Sequence, residues 1–101
     1  MSEYSEDFDN IQVTEVSQRD DGWTFLVELG YGEGSLEYMV DVDREYWTNL
    51  TGRRLEPDKL VEATFQFLMQ RGSKETIKKK FNLAEISGTY QNYDVEIKRL
   101  L

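Results

Sequence analysis

Gly22-Trp23-Thr24-Phe25-Leu26-Val27-Glu28-Leu29, followed after a glycine-rich break by Leu36-Glu37-Tyr38-Met39-Val40-Asp41-Val42-Asp43, is the stretch that decides the fold. Its apolar residues recur every second position, the spacing at which successive side chains of an extended chain point to opposite faces. Trp23, Phe25, Val27, Leu29 and Tyr31 therefore share one face of a strand, and Leu36, Tyr38, Val40 and Val42 share one face of the next. Asp21-Gly22 is suited to a tight hairpin turn, and Gly30, Gly32 and Gly34 supply a looser turn between the two strands. Upstream, Ile11 and Val13 share a face but Val16 falls on the other, so a bulge or an early end is expected in a first strand beginning at Ile11.

After Asp43 the period becomes helical. Asp43 is placed to cap a helix whose inner stripe is Tyr46, Trp47 and Leu50 and whose stop is Gly52. A second helix is expected from Pro57, where a missing N–H costs nothing, to about Arg71. Its apolar set (Leu60, Val61, Ala63, Phe65, Phe67, Leu68, Met69) covers most of the circumference, which places it centrally in the core. Ser73 is read as the cap of a short helix holding Ile77 and Phe81 at i and i+4. Asn82 with Glu85 resembles a capping box opening another turn with Leu83 and Ile86, ended by Gly88. Tyr93, Ile97, Leu100 and Leu101 then fall at helical spacing. The expected fold is α+β: a three-stranded antiparallel β-meander followed by four or five helices packed on one face. Residues 11–101 form one domain, preceded by an acidic, mobile tail over residues 1–10 that can dock Phe8.

Composition narrows the function classes. Among 101 residues there is no cysteine and no histidine, which removes disulfides, thiolate chemistry, the usual zinc sites and histidine-based triads. No cofactor and no metal are expected. The sequence shows no leader and no run approaching the roughly 20 apolar residues that span a bilayer, so a cytoplasmic protein without a membrane partner is expected. The net charge of −8 hides a division: residues 1–50 hold 13 acids against 2 bases, residues 51–101 only 7 acids against 10 bases.

The outward face of the central hairpin is the leading candidate site. Leu26 and Met39 form its apolar middle, with Thr24, Glu28, Glu37, Asp41 and Asp43 around them. Antiparallel sheets commonly leave one face to water, so a solvated face is the plain reading. An apolar centre with a carboxylate rim also suits a basic protein partner or a second copy. The alternative site is a basic patch of Arg71, Lys74, Lys78, Lys79 and Lys80, the minimum requirement for attracting phosphates. The overall acidity and the shortness of the segment after Asn82 disfavour nucleic acid as a partner. Asp41, Asp43 and Glu45 lack the fixed spacing of a calcium loop, and a carboxylate-based enzyme at these residues is weaker still. Tyr46-Trp47-x-x-Leu50-Thr51-Gly52 reads first as core aromatics, and second as one wall of a ligand cleft.

The order of hairpin, Tyr46-Trp47-x-x-Leu50-Thr51-Gly52, Leu60-Val61, Phe65-x-Phe67-Leu68, Ile77, Phe81-x-Leu83 and Ile86 resembles a group of uncharacterised bacterial proteins of about 100 residues. That pattern often carries a proline before the last tyrosine, where this chain has Gln91-Asn92-Tyr93. The matched positions are apolar and aromatic, so the resemblance implies a shared fold and carries no activity across. A small non-enzymatic interaction or regulatory module using the acidic sheet face is the expected function.

Overall fold

In the computed structural model, which describes residues 11–30, 36–71 and 77–101, the alternating stretch forms the middle of a sheet. Strand β1 (Ile11–Arg19) pairs antiparallel with β2 (Gly22–Leu29), and β2 pairs antiparallel with β3 (Leu36–Asp43). Trp23, Phe25, Val27, Leu29, Tyr38, Val40 and Val42 are all buried, as their two-residue period requires. The expected bulge is present. The β1–β2 register shifts between Glu15 and Ser17, leaving Val16 unpaired and 53% exposed while the strand continues to Arg19.

The first hairpin turn consists of Asp20 and Asp21, one residue earlier than expected, because Gly22 already pairs with Asp43. Gly22 is required there by close approach: a Cβ on it would lie 2.2 Å from the Val42 carbonyl oxygen.

Helix α1 (Arg44–Thr51) starts at Asp43 and ends at Gly52, whose left-handed backbone lets its N–H reach the Thr48 carbonyl. Asp43 stands at the cap position, but its carboxylate makes no cap bond and instead accepts from Asn82 Nδ2 at 3.3 Å. Helix α2 (Pro57–Arg71) is the expected central helix, with Leu60, Val61, Phe65, Phe67 and Leu68 buried. Thr64 is buried with them, its hydroxyl donating to the Leu60 carbonyl at 2.7 Å.

The main departure follows α2. Phe81 lies in a short strand, β4 (Lys80–Asn82), and not in a helix begun at Ser73. The i, i+4 spacing of Ile77 and Phe81 is coincidental, and the cause is non-local. The far edge of β3 has backbone groups that need partners, and they find them when Met39 N–H donates to the Lys79 carbonyl and Leu83 N–H to the Asp41 carbonyl, both at 2.8 Å. β4 runs parallel to β3, which makes the sheet mixed, with the order β1-β2-β3-β4. Phe81 turns inward to Phe65, ring centroids 6.0 Å apart. The antiparallel meander and the α+β layering stand, and the helices number four among the described residues.

The capping box is real. Asn82 Oδ1 accepts from Ala84 N–H at 2.9 Å and Glu85 Oε2 accepts from Asn82 N–H at 3.2 Å, opening α3 (Ala84–Thr89). Gly88 lies inside this helix, which closes at Tyr90. Helix α4 (Tyr93–Lys98) buries Tyr93 and Ile97, whereas Leu100 stays 58% exposed.

Trp47 is half-buried at the rim of the core, its ring edge-to-face on Trp23 at 5.3 Å and its Nε1–H donating to the Leu55 carbonyl at 2.7 Å. The acidic tail, Tyr31, Gly32, Gly34, Ser73 and Lys74 lie outside the described residues. No helix among the described residues is long and apolar enough to cross a membrane.

Candidate functional site

The described helices that pack on the sheet do so on the face of Phe25 and Val40, and the opposite face carries the outward residues of the meander. The register orders them in rows across the strands. Thr14, Leu26, Met39 and Lys80 form the central row, Gln12, Glu28 and Glu37 a second, and Ser17, Thr24, Asp41 and Asn82 a third. The structure thus brings Leu26, Glu28, Glu37, Met39 and Asp41 together on one surface, with Leu26 directly opposite Met39. Both are half-buried by their neighbours.

The carboxylates of this face differ in state. Asp41 is engaged: Thr24 Oγ1 donates to its Oδ1 at 2.6 Å, and Arg19 donates to Thr24 Oγ1 at 2.8 Å. Glu28 and Glu37 oppose each other across β2 and β3, and neither has an ion-pair partner among the described residues. Like charges directly opposite in a sheet are destabilising. This corner is therefore the electrostatically unsatisfied part of the face.

The described members of the basic patch are Arg71, Lys78, Lys79 and Lys80. Arg71 lies over the Phe67 ring at 4.0 Å, Lys79 over the Tyr38 ring at 5.3 Å, and Lys78 pairs with Glu85 at 3.3 Å. Lys80 points to the outer sheet face beside Met39. Arg71, Lys78 and Lys79 thus each contact an aromatic or acidic group of the domain itself.

Asp43 and Glu45 border a shallow cleft of about 570 Å³ with Asp20, Asp21, Arg44 and Arg53. No group of three or more acidic residues among the described residues is placed to hold a metal ion.

A polar chain between the helices escaped the sequence. Tyr46 OH donates to Ser87 Oγ, which donates to Asp94 Oδ1 at 2.7 Å. Beside it Tyr93 OH donates to Thr64 Oγ1 at 2.6 Å. Burial pushes both tyrosine hydroxyls above the usual value, that of Tyr93 strongly. Ser87 donates a hydrogen bond to the Asp94 carboxylate and accepts one from Tyr46. Together these bonds fasten α1, α2, α3 and α4 to one another. No buried side-chain polar atom among the described residues lacks a partner.

The ligand-cleft reading of the Tyr46-Trp47 segment has a counterpart in the structure. A groove of about 540 Å³ opens on the helix side of β1, between Val13, Glu15 and Gln18 and the α1–α2 connection, with Trp23, Phe25 and Trp47 in its walls. The chain matches no family model, no curated protein and no solved structure.

Proposed function

We propose that this protein is a non-enzymatic binding module that docks a basic protein partner on the outer face of its sheet, which no described helix covers. The observation that carries the reading is the Glu28–Glu37 pair beside the Leu26–Met39 pair. A half-buried apolar centre contributes affinity by leaving water, at about 25 cal/mol per Å² of apolar area. Two opposed carboxylates without a cation among the described residues contribute selectivity, because a lysine or arginine placed between them relieves a repulsion of about 0.2–1 kcal/mol. The lack of histidine and cysteine supports a role in binding over one in acid–base or nucleophilic catalysis.

The test uses isotope-labelled protein and a hexalysine probe. Saturable amide shifts at Leu26, Glu28, Glu37 and Met39, abolished in Glu28→Gln/Glu37→Gln and by salt, are expected. Shifts that persist in the double variant, or that spread without saturation, overturn the reading. Light scattering that finds a dimer dispersed by Leu26→Glu would make the occupant a second copy and not a basic partner.

A further inference from the structure

We infer that the groove beneath β1 is a second binding site, one that takes a lysine or arginine side chain of a basic peptide against the face of Trp47. The strand pattern of β1 inverts along its length. Ile11, Val13 and Glu15 point to the helix side of the sheet, opposite Leu29, Val27 and Phe25. Two of these positions are apolar, as the core demands, and the third is a glutamate above a buried phenylalanine. The bulge then sets Val16 out into solvent and returns Gln18 to the helix side, opposite Trp23. An apolar residue faces water and two polar residues face aromatic rings. Bulges re-aim side chains in this way beside functional sites, and a breach of the local pattern is where function is to be sought.

The walls define the ligand. Trp23 and Trp47 meet edge-to-face at 5.3 Å, and Phe25 and Pro57 line the groove with them. Glu15, Glu56 and Asp58 line the same groove, against one cation among the described residues, Arg53. Glu15 and Glu56 have no ion-pair partner among the described residues, and Asp58 spends one oxygen on the Lys59 N–H at 2.9 Å. Indole faces attract cations more strongly than other rings, and the attraction grows where water is partly excluded. The domain already uses that contact once: the Arg44 guanidinium sits over Trp23 at 4.4 Å. Trp47 is held in place by its bond to Leu55, so the wall is preformed. Arg53, at the lip, adopts φ 65, a left-handed conformation uncommon for a residue with a side chain.

A titration with a hexa-arginine peptide, read at the Trp47 indole N–H resonance, tests the site. A saturable shift is expected, with at least a tenfold weaker dissociation constant in Glu15→Gln/Glu56→Gln, whose exposed positions leave folding intact. Hexa-glutamate is expected to give no shift. A peptide that leaves the Trp47 resonance unmoved, or binds the double variant equally well, overturns the proposal. N-acetyl-argininamide binding as tightly as the peptide would overturn the assignment to a peptide side chain. The outer face is read separately at Glu28 and Glu37: shifts there without any at Trp47 refute the groove alone, and the reverse refutes the outer face alone.

Discussion

Replacing Trp47 by alanine isolates what the half-buried ring contributes. An intact tryptophan buries about 150–250 Å² when fully enclosed, so the half-buried ring removes roughly 100 Å² of apolar surface, about 2.5 kcal/mol at 25 cal/mol per Å². The edge-to-face contact with Trp23 adds about 0.5–1.5 kcal/mol. The hydrogen bond to Leu55 adds little to the loss, because removing the half-buried ring admits water to the freed carbonyl, whereas a phenylalanine ring keeps that place filled. The expected cost is about 3–4 kcal/mol, a large share of the 5–15 typical of a domain. In a chain of this size each kcal/mol shifts Tm by about 4–8 °C. Trp47→Phe keeps most of the ring and loses the hydrogen bond, so it should cost about 0.5–1.5 kcal/mol. Urea unfolding followed by far-ultraviolet circular dichroism gives both values without relying on the fluorophore being removed. An alanine variant within about 1 kcal/mol of the parent would refute the packing argument. A phenylalanine variant as damaged as the alanine one would show that the hydrogen bond, and not the area, is what matters.

Gly22→Ala should destabilise by about 1–3 kcal/mol or more, since the new methyl meets the Val42 carbonyl oxygen at 2.2 Å and backbone must move; a neutral result in the same urea assay would show that the hairpin yields freely. Glu37→Lys should stabilise by about 0.3–1 kcal/mol at low ionic strength, because it turns an opposed like-charge pair into an attractive one, and the gain should fade in 1 M salt. Tyr93→Phe should cost about 0.5–1.5 kcal/mol at neutral pH by removing the bond to Thr64. It should also flatten the alkaline limb: the folded state holds the Tyr93 proton above the usual 10.0, so the unfolded chain loses it first and stability falls as pH rises past that value. An unchanged alkaline limb in thermal melts between pH 8 and 11.5 would place the effect elsewhere.

The meander was legible because its signal is local. Trp23 to Leu29 and Leu36 to Val42 alternate without interruption, and burial on one face enforces that period. Gly52 and the Asn82–Glu85 box were legible for the same reason, each being a backbone requirement answered within a few residues. β4 was not. Lys80-Phe81-Asn82 is too short to show a period, and its conformation is set by the edge of β3, some forty positions away along the chain. The outer face followed from alternation alone, although the release of Asp41 to Thr24 and the isolation of the glutamate pair needed the register. Of the groove, only a cleft beside Tyr46 and Trp47 was legible; its acidic lining was not, because Glu15 looks like any polar strand residue until the bulge and the start of α2 fix which side it faces.

The parallel pairing of β4 has a consequence for the order in which the molecule assembles. The two hairpins join neighbours and form early, whereas Met39 must wait for Lys79 across a loop that contains both α1 and α2. Closing so long a loop is entropically costly until the intervening helices have docked and shortened it. On refolding, amide protons of Val27 and Val40 should gain protection from exchange before those of Met39 and Leu83. The third strand thus spends the late stage of folding with an unzipped border, the interval in which it is most open to a stray chain.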